Sequence, residues 1–356
     1  MDDKILREIR IDPIVPTRSV LISTARGKRP LQEETPVSRD LREHVETCPF
    51  CRGNEHQTPP ASLQVPADGK WDVRIVENLY PILDDDPLTP GLPPGMQQAI
   101  AGYGHHEVII DHPNHGIALD QMSERHLALL FGVYRDRMQA LYETDPRIHY
   151  VLIFKNFGKA AGASIPHSHS QIIAMPIVPH NVHGEVQSSL DFYRKTETCI
   201  FCALIDEALS FETTTYNRKS GEISQNYQTA RYVIDQGEKF IAIKPFASRY
   251  EWEVHILPLQ HNSNFIETPP DDLADLARVL RRTMLRLKAV IGEVQYNYFL
   301  HSVPHVKNSR EFTKSFHWHI EICPRTSIPS GFELGSGLFV NTVSPESAAH
   351  KLRQAL

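Results

Sequence analysis

The segment SIPHSHSQIIAMP, residues 164–176, sets His167 and His169 two apart, directly before an apolar run. Side chains alternate between faces in an extended backbone, so both imidazoles look into one site. Two C-x2-C pairs, Cys48 and Cys51 in CPFC and Cys199 and Cys202 in CIFC, add thiol donors. In a reducing compartment that spacing points to metal ligation more readily than to a disulfide, with redox chemistry as the main rival. His115 follows Cys51 by 64 residues and His261 follows Cys202 by 59; His167 follows His115 by 52 and His317 follows His261 by 56. Each half of the chain thus supplies two thiolates and two imidazoles, the donor set of tetrahedral structural zinc: Cys48, Cys51, His115 and His167, then Cys199, Cys202, His261 and His317. A site closed by four protein ligands has no place for water, so such a metal fixes geometry and performs no chemistry. Cys323 stands alone in HIEICPR and reads as a small buried apolar residue.

The elements that must position these groups also come twice. After the first Cys pair the chain runs through RIVENLYPIL to HHEVIIDHPNHG, a strand closed by turn residues. A helix, SERHLALLFGVYRDRMQALYE, follows, with apolar residues three and four apart, and then the strand HYVLIFKNFG, a Gly/Ala loop and the His-x-His segment. After the second pair come, in the same order, RYVIDQGEKFIAIKPF, EWEVHILPLQHNS, DDLADLARVLRRTMLRLKAVIG, YNYFLHS and SFHWHIEICP. Short strands alternating with one long helix in each half predict an α+β fold of two related halves, 1–185 and 186–356, whose antiparallel strands join in one sheet.

Composition bounds the function. The chain has 356 residues, 41% of them apolar, enough for a real core. No stretch reaches the roughly 18 apolar residues of a membrane span, and the opening MDDKILREIRIDP lacks the apolar core of a signal peptide, so cytoplasm is the expected compartment. A net charge of −6 argues against gripping a nucleic-acid backbone, and a zinc-stabilised binding module without catalysis is correspondingly disfavoured. A compact anionic ligand needs only a few local cations.

NFGKAAGASIPHSHSQ, together with CPFC, PNH, ARGKRP and ENLYP, resembles the galactose-1-phosphate uridylyltransferase family of the histidine-triad (HIT) superfamily, over most of the chain from Arg26 onward. The resemblance implies two tandem HIT-like halves, a homodimer, and exchange of a nucleoside monophosphate, UMP first among the candidates, between a nucleotide sugar and a hexose 1-phosphate. It makes His167 a zinc ligand and His169 the nucleophile. Ser168 stands where the family motif has Pro, and Ser170 where its best-known members have Gly. HSHSQ and the tail GFELGSGLFVN are closer to bacterial and plant relatives, including a branch acting on ADP-glucose. A phosphorylase or hydrolase of the same superfamily, with phosphate or water taking the nucleotide from His169, is the rival enzyme.

A neutral imidazole nitrogen can attack the α-phosphorus, expel the sugar phosphate and hold the nucleotide until an acceptor collects it. Its tautomer needs fixing, for which a backbone carbonyl suffices. Gln171, two residues beyond His169, can give its amide NH2 to a phosphoryl oxygen, and Ser164 a hydroxyl. Gly162 and Ala163 in the same loop offer closely approaching N–H groups. By resemblance, Asn156 contacts phosphate, Asn78 lies near the nucleoside, Arg26 and Arg29 reach the partner subunit's site, and Phe332 is a substrate contact. Ser336 and Gly337 replace the family's hexose-holding Tyr-Glu pair, which predicts weak discrimination between galactose and glucose phosphates. Some members carry a second metal, iron among the candidates, on one Glu and three His; Glu185, His301, His317 and His319 match it, an alternative to the second Cys set that competes for His317. His319 sits where the repeat would put a second nucleophile, but its loop KNSREFTKS lacks the Gly/Ala character of the first, and one active site per chain is expected.

Overall fold

A computed structural model of the chain describes residues 5–28, 39–88, 95–210, 213–216, 223–226, 231–306 and 310–356. Among the described residues ten strands form one sheet, antiparallel throughout. The first half gives Ala61–Val65, Val73–Glu77, His105–Ile110, Tyr150–Phe157 and His169–Met175; the second gives Val233–Gln236, Phe240–Ile243, Val254–Pro258, Tyr296–His301 and His319–Pro324. The halves meet at the centre, where Tyr150–Phe157 pairs with Tyr296–His301 from Phe157 opposite Tyr296 to Ile153 opposite Leu300. Outward from that seam each half repeats the same neighbours: its His-x-His strand, then the strand preceding its long helix, then a hairpin. The repeat seen in sequence is therefore a repeat of backbone, and the expected joining into one antiparallel sheet holds.

The two long helices, Glu124–Thr144 and Asp272–Ile291, lie side by side on one face. Ser123 starts the first by accepting from the His126 N–H at 3.1 Å, the N-cap bond that satisfies an otherwise orphaned donor. Leu127, Leu130, Phe131, Tyr134, Met138 and Leu141 recur at helical spacing and pack, with Leu276, Leu280, Met284 and Leu287, onto Val151, Ile153, Ile172, Ala174, Ile320 and Ile322 of the sheet. Burying each such side chain contributes about 1.5–3 kcal/mol. Because strand side chains alternate, committing Ile172 and Ala174 to the helices turns His169 and Gln171 to the opposite face.

That opposite face is covered differently in each half. Phe50, Trp71, Val76, Val108 and Ile110 cluster around Cys48 and Cys51 in the first. In the second, the helices His180–Thr196 and Ile200–Ser210 pack on Ile241, Leu257 and Phe316. A smaller sheet ties the chain ends together, Arg7–Ile11 pairing antiparallel with Ser19–Ser23 and Phe339–Asn341 pairing parallel with it. No helix among the described residues is long and apolar enough to cross a membrane.

Candidate active site and metal centres

His169 opens its strand, buried and fixed in tautomer. Its Nδ1–H donates to the His167 carbonyl at 2.8 Å, which leaves the lone pair on Nε2. Burial first, and the nearby Lys155 charge second, lower its pKa, so the neutral, nucleophilic form dominates at neutral pH. Gln171 lies two residues on, on the same face. Ile82 N–H donates to His106 Nδ1 at 3.2 Å, so Nε2 of His106 carries the proton and donates to Gln171 Oε1 at 2.8 Å. With its oxygen engaged, Gln171 presents its NH2 as a donor. Asn156 is arranged alike: Asn297 Nδ2 donates to its Oδ1 at 2.8 Å, leaving its NH2 as a donor on the same face. Asn78 packs against His106, its Nδ2 3.1 Å from Nε2.

The loop before His167 depends on glycine. Gly158 and Gly162, at φ 86° and 87°, flank the tight turn Lys159–Ala161. A Cβ on Gly158 would run into the Gln295 side chain, and Gln295 Oε1 accepts from the Ala160 N–H while Asn297 Nδ2 donates to the Ala161 carbonyl at 2.8 Å. The second half thus clamps the loop of the first. Ser164 and Gly162 are exposed on that loop and Ala163 is half-buried.

Cys48, Cys51, His115 and His167 converge as the spacing predicted, with their ligand atoms within 4.8 Å of one another. His167 Nδ1 lies 3.6 Å from both sulfurs and His115 Nδ1 lies 3.5 Å from Cys51 Sγ. His167 Nε2–H donates to the His112 carbonyl at 2.7 Å, which aims Nδ1 at the thiols. Burial pushes the Cys48 thiol up to about 11 and the His167 imidazolium down to about 4, so uncharged donors fill an apolar pocket. This donor set fits a soft divalent ion, which would supply the charge that makes thiolates of the cysteines. Phe50, between the cysteines, touches the His169 ring at a centroid distance of 5.2 Å and so links the cluster to the candidate nucleophile.

In the second half Cys199, Cys202, His261 and His317 also converge, with Cys202 Sγ 3.4 Å from His261 Nδ1 and 3.6 Å from His317 Nδ1. In the structure His317 groups with the cysteines, and Glu321 groups with Glu185, His301 and His319 of the alternative set in a separate buried cluster. The two sets do not compete, because strand alternation turns His319 and Glu321 to the side away from Ile320 and leaves His317 just before the strand. His301 Nδ1 is 2.9 Å from Glu185 Oε2; burial lowers the His301 pKa, but the Glu185 and Glu321 carboxylates together outweigh it and the net shift is upward. His319 copies His169 in donating Nδ1–H to the His317 carbonyl at 3.0 Å. Its Nε2, however, lies 3.8 Å from Glu321 and 3.9 Å from Glu185, in a cavity of about 330 Å³ also lined by Glu253 and Arg249. His319 Nε2 thus faces two carboxylates, with Glu321 at the register position that Gln171 holds in the first half.

Other candidates lie apart. Arg26 borders a surface pocket with Tyr250, Glu251 and Glu333, and Phe332 is half exposed in the helix Gly331–Ser336. Arg29 lies outside the described residues. Sequence reasoning missed His106, Phe50, Asn297, Glu321, and the buried Lys155–Asp111 pair. For His106 a signal existed, since alternation in HHEVII puts it on the face of Val108 and Ile110.

The family model described as galactose-1-phosphate uridyl transferase, N-terminal domain, matches residues 1–179. The ADP-glucose phosphorylase of Arabidopsis thaliana is 32% identical over 350 residues, 98% of this chain and 92% of that protein. The chain belongs to the galactose-1-phosphate uridylyltransferase family. The galactose-1-phosphate uridylyltransferase of Thermotoga maritima is 27% identical over 361 residues, 98% of each chain. Among solved structures of the family, the Arabidopsis thaliana ADP-glucose phosphorylase with bound ADP-glucose superposes with a TM-score of 0.81 at 30% identity, over 98% of this chain and 99% of that one. A uridylyltransferase structure superposes at 0.72 with 27% identity, over 98% of each.

Proposed function

We propose that this uridylyltransferase-family chain is a nucleotidyltransferase working through a nucleotidyl-His169 intermediate, in the manner of UDP-glucose–hexose-1-phosphate uridylyltransferases. The observation that carries it is the His169 Nδ1–H bond to the His167 carbonyl, which leaves Nε2 as a buried, neutral nucleophile on the face of Gln171 and Asn156. The Nε2 lone pair attacks the α-phosphorus of a nucleotide sugar; the P–N bond forms, the P–O bond breaks, and hexose 1-phosphate leaves with the electron pair. A phosphate oxygen of a second hexose 1-phosphate then attacks the same phosphorus and takes the nucleotide, restoring neutral His169. Gln171 and Asn156 donate to the phosphoryl oxygens as charge spreads over them.

Two zinc ions per chain, one in each Cys2His2 set, would brace this frame, the first by stiffening the backbone beside His169. The Glu185, His301, His319 and Glu321 cluster, rich in carboxylate, would suit iron. A cytoplasmic homodimer, with Arg26 and Arg29 reaching the partner's site, and halves dividing near residue 185 complete the reading.

A second reading is favoured by the 32% identity to an ADP-glucose phosphorylase: an ADP-sugar donor, with inorganic phosphate taking AMP from His169. One experiment covers both. Protein mixed with α-labelled UDP-glucose or ADP-glucose should carry label after denaturation, and the chase, with hexose 1-phosphate or with phosphate, identifies the acceptor. No label from either donor would refute the covalent route.

A further inference from the structure

A charged knot lies directly behind His169. Lys155 Nζ donates to Asp111 Oδ2 at 2.5 Å, to Ser168 Oγ at 2.8 Å and to the His169 backbone oxygen at 2.9 Å. Ser168 Oγ donates in turn to Asp111 Oδ2 at 3.1 Å. Lys155 and Asp111 are 0% exposed. Taking two charges out of water costs so much that well-packed apolar residues are often the more stable choice at such a position.

The second half makes that choice. Phe154 pairs with Gln171 and Phe299 with Glu321, so Leu300 holds the place of Lys155, and Trp318, between His317 and His319, holds the place of Ser168. Both are fully buried in the apolar core. The same backbone therefore closes around hydrocarbon in the half whose His-x-His faces carboxylates, and around an ion pair in the half with the candidate nucleophile. The second half thus builds the same strand pairing with apolar residues in place of the charges.

We propose that Lys155 is a positioning residue for the nucleotidyl transfer: neutralised by Asp111, its ammonium ties Ser168 and the His169 carbonyl to the central strand and holds the imidazole in line with the phosphorus. The inference rests on the function proposed above. The test uses the full chain with both charges removed, Lys155→Met with Asp111→Asn, which avoids an orphaned buried carboxylate. The double variant should fold, retain its metal content and keep KM within about threefold, while single-turnover labelling of the protein slows about 100-fold, the loss expected from a reacting group displaced by about 1 Å. Ser168→Ala, which keeps the ion pair and removes one tether, should slow labelling about threefold to tenfold by the same reasoning, and serves as the readout if the double variant does not fold. Labelling at the wild-type rate in the variant that folds would overturn the inference, as would a large rise in KM with an unchanged rate, which would make Lys155 a binding residue. Failure of the wild type to label at all would instead overturn the covalent function, and this inference with it.

Discussion

Replacing Gln171 by Glu would give the candidate active site the residue that the second half carries at the same position, Glu321 beside His319. The effect can be sized. A carboxylate about 4 Å from a phosphoryl oxygen, at an effective dielectric of about 20, repels it by about 4 kcal/mol, or roughly 1,000-fold in rate if felt in the transition state. Gln171→Leu removes the donor without adding charge, and losing a hydrogen bond to a charged group costs about 1.5–3 kcal/mol, a factor of roughly 10 to 150. The assay is single-turnover labelling from an α-labelled nucleotide sugar, with wild type, Leu and Glu variants compared at equal metal content. Labelling should fall in the order wild type, Leu, Glu. Equal rates for the Leu and Glu variants, or less than a tenfold loss in the Glu variant, would mean that Gln171 does not face the phosphoryl group and that charge is not what separates the two halves.

Four further outcomes are expected. Elemental analysis should find about two zinc ions per chain, falling by about one in Cys48→Ser and in Cys199→Ser, with a lower unfolding temperature for Cys48→Ser because structural metal supplies folding free energy. With Ser336 and Gly337 in the tail, competition kinetics should show weak discrimination between galactose and glucose 1-phosphates, since rejecting the wrong sugar depends on polar groups left unpaired by it. His169→Gly should fold, keep its metal and form no adduct, and added imidazole should attack the phosphorus in the vacated space to give a nucleoside phosphoimidazolide. Asp145 is buried, and hydrogen bonds from Arg147, Tyr103 and His105 outweigh that burial and hold its carboxyl below the ordinary 3.8. It therefore stabilises the fold above that pH and ceases to as the pH falls through its folded-state value. Asp145→Asn should accordingly lower the unfolding temperature at pH 7, with the gap to wild type closing as the pH drops below about 4.

Repetition made much of the architecture legible before any coordinates. Cys, Cys, His and His-x-His at matched intervals located both clusters, and apolar residues three and four apart located both long helices. What escaped depends on partners distant in the chain. Nothing in HYVLIFKNFG singles out Lys155; its role appears only with Asp111, 44 residues earlier, inside the core with it. The competition for His317 dissolved for a similar reason: strand alternation beyond His317, invisible in a spacing count, brings Glu321 to His319 and Glu185. His106 was hidden by its neighbour His105, which points the other way and meets Asp145.

The central claim is that Nε2 of His169 carries the nucleotide. Mass analysis of the protein mixed with UDP-glucose or ADP-glucose, denatured at alkaline pH where a phosphoramidate survives, should show a mass gain of one nucleoside monophosphate, confined to the peptide containing His169 and lost on adding the acceptor. An unchanged mass with turnover proceeding, or an adduct on the peptide containing His319, would contradict it.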